Sequence, residues 1–252
     1  MPFSVTLADQ IARARADLRM GLPIALLAED GVLVASAIET LTVERFEELR
    51  GVGRALHLAI TNRRAETLSA PAYDGDLVRI GVPLDVSLAW VHAMADPSLD
   101  LQVPMKGPFR FIRTGSAAPH RAAIKLCKDA GLLPGVILGA VDEVPKGLAC
   151  LNVSELTNAA TNRMPLDLIS GARVPLEISE NSRVHVYRKR DGGEEHYAIE
   201  VGRPARDKPV LSRLHSACFT GDIVGSLKCD CGAQLQAAMA QIGAEGAGVL
   251  LY

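Results

Sequence analysis

Three of the chain's five cysteines fall within 14 residues, in Leu214-His-Ser-Ala-Cys218-Phe-Thr-Gly-Asp-Ile-Val-Gly-Ser-Leu-Lys-Cys229-Asp-Cys231-Gly-Ala-Gln-Leu235. A segment so loaded with thiols must fold to bring them together or keep them apart, and either outcome fixes the local backbone. Cysteines in reducing compartments are often just small buried hydrophobes, but three in one short, polar, glycine-containing loop favour metal over packing. Thiolates are strong zinc ligands, and three of them leave one tetrahedral position for water or substrate, the arrangement of a catalytic rather than a sealed structural site. The stretch predicts a zinc centre on Cys218, Cys229 and Cys231, and zinc-dependent hydrolysis.

The spacing supports this reading. Cys229 and Cys231 are separated only by Asp230, too close for the two-residue spacer of a zinc knuckle, and a disulfide between them would be badly strained. Gly232 follows where a tight backbone turn is expected. Cys218 comes from the far side of a loop containing Gly221 and Gly225, with ten residues available to fold back. Leu235, Ala238, Met239 and Ile242 then recur at helical spacing, which puts the cysteine pair at a helix N-terminus, where the dipole favours ionised thiols. Met1 to Gly21 reads as an amphipathic charged helix rather than a signal peptide, so a reducing, cytoplasmic setting is expected.

Arg213-Leu-His-Ser-Ala-Cys218-Phe-Thr-Gly-Asp222 and Gly225-Ser-Leu-Lys-Cys229-Asp-Cys231-Gly-Ala-Gln234 resemble the zinc-binding signature of GTP cyclohydrolase II, the enzyme that opens riboflavin biosynthesis. The resemblance extends to the strand-like Gly246-Ala-Gly-Val-Leu-Leu-Tyr252. It implies that the cysteines hold zinc, and that Arg213, Leu214, His215, Ser216, Ala217 and Gln234 line GTP. It also implies magnesium at the GTP phosphates, release of formate and pyrophosphate, and a homodimer. Ala217 stands where the family commonly has glutamate. In the family, Tyr252 would be followed by a Gln-Glu-Gly-Arg loop, a general-base aspartate, a nucleophilic arginine and phosphate contacts. The catalytic residues are therefore expected beyond Tyr252, the chain reads as a fragment that alone would not turn over GTP, and a final strand Leu250-Leu251-Tyr252 is expected to lack a partner.

Composition narrows the remaining options. A chain of 252 residues with 48% hydrophobic content can bury more than one core. A net charge of −2, from 27 basic and 29 acidic residues, provides no whole-molecule field for nucleic acid or membrane. No apolar run approaches the roughly 20 residues of a bilayer span, and 4% aromatic content argues against base-stacking surfaces.

Upstream, helices and strands alternate. Helices are expected at 9–20, 42–51, 87–94 and 121–130, the last ended by Gly131, and strands at 23–28, 32–37, 55–61 and 135–140. The fold class is α/β (α+β) in two domains, a layered domain over 1–170 and part of a mixed α/β domain over 180–252, with a linker near 161–180. Leu18-Arg-Met-Gly21-Leu-Pro-Ile-Ala-Leu26 and His120-Arg-Ala-Ala-Ile-Lys-Leu-Cys-Lys-Asp-Ala-Gly131-Leu-Leu-Pro134-Gly-Val-Ile resemble 3,4-dihydroxy-2-butanone 4-phosphate synthase, which is commonly fused ahead of GTP cyclohydrolase II. That family carries a long acidic metal-binding loop after its first strand; here Ala28-Glu29-Asp30-Gly31 runs straight into Val32. Its His-Thr-Glu motif survives only as His120, read as a helix cap or surface residue. A synthase-like domain without synthase activity is expected.

The other candidates are bland. Arg188-Lys-Arg190 reads as a solvated strand end before a turn at Asp191-Gly-Gly193, His57, His92, His185 and His196 are scattered, and Cys127 and Cys150 are read as buried. Two hypotheses stand: a GTP cyclohydrolase II-type hydrolase, or a non-catalytic zinc protein with a scaffold or regulatory role. A fourth protein ligand beside the cysteines would favour the second.

Overall fold

The computed structural model describes residues 4–52, 55–159, 166–189 and 194–252. It divides into two units, Met1–Asn162 and Arg163–Tyr252. Both mix helix and strand.

The first unit runs α1 (Leu7–Arg19), β1 (Ile24–Ala28), β2 (Gly31–Ala37), α2 (Val43–Val52), β3 (Leu56–Thr61), α3 (Asn62–Thr67), β4 (Leu77–Gly81), α4 (Leu88–Ala95), β5 (Arg110–Phe111), α5 (Ala118–Asp129), β6 (Gly135–Val141), β7 (Ala149–Asn152) and α6 (Val153–Ala159). Its seven strands are ordered β5-β4-β3-β6-β2-β1-β7. Alternation along the strands builds two cores. Ala35, Ala37, Val136 and Leu138 face α1, α5 and α6, while Val34 and Ile137 face α2, α3 and α4. The sheet is thus covered on both sides, a three-layer arrangement.

Local chemistry sets the ends of these elements. The first helix starts two residues earlier than its periodicity suggests because Thr6 and Asp9 form a capping box: the Thr6 hydroxyl accepts the Asp9 N–H at 3.2 Å, and the Asp9 carboxylate accepts the Thr6 N–H at 2.9 Å. Gly131, at φ +75°, ends α5 in the left-handed region. Glu29 and Asp30 form a two-residue hairpin turn, with Ala28 paired to Gly31.

Two elements that the sequence does not mark, α3 and β4, are held by buried charges. Arg79 interrupts the apolar run of β4 yet is buried, because its guanidinium donates to both Asp74 oxygens, at 2.8 and 3.0 Å. Arg64 on α3 donates to both Asp100 oxygens, at 2.7 and 2.6 Å, and to the Ala93 and Met94 carbonyls in the last turn of α4. Lys106 donates to the same Asp100 at 2.7 Å, and the two cations hold that carboxyl well below the usual range.

The second unit runs β8 (Leu166–Arg173), β9 (Ser182–Lys189), β10 (Glu195–Val201), β11 (Ser212–Leu214), α7 (Cys231–Glu245) and β12 (Gly248–Leu251), with sheet order β11-β12-β10-β9-β8. Its core is small: Val201, Ile242 and Leu250 are buried, with Leu235, Ala238 and Met239 of α7 packed against them. The helical period read from sequence is this packed face.

Four expectations need correction. The second sheet already begins at Leu166, and β8 pairs with β9, so neither a first domain reaching residue 170 nor a linker extending to residue 180 holds. The break follows Asn162, and part of the expected linker (161–165) lies outside the described residues, as does the expected turn at 191–193. The terminal strand does have partners: β12 lies between β10 and β11, and Leu250 is fully buried. Cys127 is buried as expected, whereas Cys150 is only half-buried. Among the described residues, no helix is long and apolar enough to cross a membrane.

The seating of α4 on β6 can be tested at Gly135, where an added Cβ would stand 2.6 Å from the Ala95 Cβ and 3.3 Å from the Ile38 Cδ1. Gly135→Ala is expected to destabilise the first unit by about 1–3 kcal/mol through overpacking. Urea unfolding measures this, and an unchanged midpoint would contradict that contact.

Candidate metal centre

The β11 strand delivers Arg213 and Leu214, and the His215 N–H donates to the Leu251 carbonyl at 2.8 Å, holding the chain beside β12 as it leaves the sheet. Cys218 follows, then a single π-helical turn over Phe219–Ile223, and α7 opens at Cys231. Wide turns of this kind are frequent at functional sites. The sulfurs of Cys218, Cys229 and Cys231 all lie within 4.8 Å of one another, and those of Cys218 and Cys229 are 3.9 Å apart. Two thiolates each about 2.3 Å from one tetrahedral zinc would be about 3.8 Å apart. The donor set fits zinc in both chemistry and spacing.

Two glycines make this convergence possible. A Cβ on Gly221 would stand 2.8 Å from the Cys229 sulfur, 2.8 Å from the Cys231 Cβ and 3.3 Å from the Cys218 sulfur, so the loop turns inside the thiol cluster. A Cβ on Gly232 would approach the Gly221 carbonyl to 2.3 Å. Gly232 therefore serves close approach from within α7, not the tight turn expected from sequence.

Electrostatics divides the three thiols. The Thr220 hydroxyl, the Gly221 N–H and the neighbouring thiols lower the pKa of Cys218. Hydrogen bonding to Cys218 and Cys229 pushes Cys231 up to about 11. One sulfur ionises readily and its neighbour resists, because adjacent thiolates repel. A divalent cation among them removes that conflict.

Beside the thiols, the Asp222 carboxylate accepts the Cys218 N–H at 2.9 Å, the Tyr252 hydroxyl at 3.1 Å and His215 Nε2 at 3.1 Å. These donors, the Cys218 N–H foremost, lower its pKa. The rings of His215 and Tyr252 stack with centroids 5.7 Å apart. On the other flank, Arg213 donates to the Gln234 side-chain oxygen at 2.7 Å, and the Gln234 amide donates to Asp230 at 2.9 Å.

The candidate residues are not equivalent in place. Arg213 and Gln234 meet directly, whereas Leu214, alternating to the other side of β11, is 76% exposed and away from them. Ser216 and Ala217 are exposed on the loop before Cys218, and His215 is buried and held by Asp222. Asp222 and Tyr252 were not singled out from sequence. The Thr-Gly-Asp turn pointed only to a loop, and nothing in the chain pattern brings Tyr252 back to it.

In the first unit, His120 is not a cap or surface residue. It is 3% exposed, both ring nitrogens lack hydrogen-bond partners, and the ring stacks on His57 at 5.7 Å. Burial, with His57 and Arg79 nearby, lowers its pKa to about 3. Among the described residues, the three cysteines are the group of His, Cys, Asp and Glu side chains close enough to share an ion.

Known proteins match both halves of the chain. The family model for GTP cyclohydrolase II matches residues 168–252. A GTP cyclohydrolase-2 of Azospirillum brasilense is 34% identical over 264 residues, covering all of this chain and 69% of that protein. One from Xylella fastidiosa (strain Temecula1) is 30% identical, covering all of this chain and 63% of its own length. Among solved structures, a two-domain 3,4-dihydroxy-2-butanone 4-phosphate synthase from A. baumannii covers 96% of this chain and 80% of its own, at 15% identity and a TM-score of 0.40. The chain thus spans about two thirds of the length of its full-length curated relatives. On the match to these relatives and to the family model, the chain belongs to the GTP cyclohydrolase II family of riboflavin biosynthesis.

Proposed function

We propose that this chain holds the zinc centre of a hydrolase that opens the imidazole ring of GTP and releases formate and pyrophosphate. The observation that carries the reading is the convergence of three thiols around Gly221 at the start of α7, beside the Arg213–Gln234 pair. Cys218, Cys229 and Cys231 would hold the ion. When bound, zinc supplies Lewis acidity that makes water a nucleophile at neutral pH. No fourth His, Cys, Asp or Glu joins the three among the described residues, which supports an open catalytic site over a sealed one.

The chain's own residues prepare the ground around that position. Asp230 accepts from the Gln234 amide, so the Gln234 side chain is oriented before ligand arrives, and the Gln234 side-chain oxygen in turn accepts from Arg213. Arg213 offers a cation suited to a phosphate or a purine edge. Ser216 and Ala217 leave the loop before Cys218 uncrowded.

The first unit is proposed to lack synthase activity. Glu29 and Asp30 close a two-residue hairpin and offer no extended acidic loop, and His120 is buried without a free approach. Incubation with ribulose 5-phosphate and magnesium is expected to yield no dihydroxybutanone phosphate; measurable turnover would contradict this.

Purified protein should carry about one zinc per chain. Cys229→Ser should lose it, and Gly221→Ala should also lose it, because the new methyl would occupy the space between the sulfurs. Metal analysis after gel filtration decides, and full retention in both variants would overturn the assignment.

GTP is the proposed substrate, and formate is the product to follow. Formate release by the zinc-loaded protein should stop on chelation and return with added zinc. A zinc-loaded protein that binds GTP but releases no formate would favour the non-catalytic reading.

A further inference from the structure

Of the three thiols, Cys229 and Cys231 are placed by the start of α7, but Cys218 stands eleven residues before Cys229 along the loop, with extended backbone (φ −133°, ψ 90°). Something else must hold it. The residue that does so is Asp222, whose side chain is 2% exposed. Its backbone N–H donates to the Cys218 carbonyl at 2.7 Å, while its carboxylate accepts the Cys218 N–H at 2.9 Å, so the two residues are clasped from both sides. The same carboxylate accepts from His215 beyond the end of β11 and from Tyr252 beyond the end of β12. One side chain therefore ties the thiol loop to two neighbouring strand ends.

From this geometry we infer that Asp222 is a positioning residue for the metal centre: it fixes Cys218 against the other two thiols and couples that ligand to the stacked His215 and Tyr252 rings. The inference rests on the metal reading above. Its chemistry is specific, because every atom presented to the carboxylate is a donor: an N–H, an O–H and a ring nitrogen. An asparagine of the same size would turn an NH2 group toward one of those donors, leaving two donors face to face. Tyr252→Phe removes only the hydroxyl.

The test is the affinity for zinc, measured by competition with a chromophoric chelator, together with the thiolate-to-metal absorption of the cobalt-loaded protein. Asp222→Asn and Asp222→Ala are each expected to weaken zinc binding by about 10- to 100-fold, the range for lost outer-shell partners, and to alter the cobalt spectrum. Tyr252→Phe should have a smaller effect in the same direction. Thermal unfolding of the zinc-free proteins should show Asp222→Asn less stable than the parent but still folded, which separates positioning from global unfolding. Parent-like affinity and spectrum in Asp222→Asn would overturn the inference, as would a zinc-free Asp222→Asn that has already unfolded. Failure of the parent protein to bind either ion would instead overturn the metal reading from which the inference starts.

Discussion

The second unit is organised around an electrostatic conflict. Three sulfurs are drawn within 4.8 Å of one another, and the pKa of one is lowered while that of a neighbour is driven to about 11. Packing alone does not hold such a group together, since buried thiols are ordinary hydrophobes and gain nothing from facing one another. A bound cation would resolve the conflict. The glycines at 221 and 232, the wide turn over Phe219–Ile223 and the Asp222 clasp all serve that convergence, each removing bulk or adding a donor-acceptor match where the loop approaches itself.

Much of this was legible in the sequence, for identifiable reasons. Cysteine spacing is a strong local signal, and the apolar period of Leu235, Ala238, Met239 and Ile242 marked the α7 face that packs on the sheet. What sequence could not supply was the reach of long-range contacts. Asp222 and Tyr252 are 30 residues apart and meet only because β12 returns between β10 and β11. For the same reason β12 was misjudged as unpartnered: a strand's neighbours are a property of topology, not of its own residues. Gly232 was assigned to a turn because glycine's backbone freedom is its commoner use, whereas here its lack of a side chain matters.

In the first unit the longer periodic segments are legible in the sequence, whereas short ones such as α3, β4 and β7 are not. A buried arginine such as Arg79 or Arg64 breaks an apolar pattern, and only the fold reveals Asp74 or Asp100 waiting for it. His120 illustrates the reverse error. A histidine in the first turn of a helix suggests a solvent-facing role, yet the α5 turn that carries it is pressed onto the sheet, so the ring is buried against His57 in its neutral form.

The start of α7 has a thermodynamic consequence. Asp230 occupies the capping position but makes no side-chain cap, its carboxylate being taken by Gln234, so the first N–H groups of the helix are left without the usual side-chain acceptor. Three thiolates around a divalent ion carry a net charge of about −1, which is the sign a helix N-terminus favours. With a metal bound, the centre would take the place of the missing cap. Metal binding and the first turn of α7 would then be thermodynamically coupled.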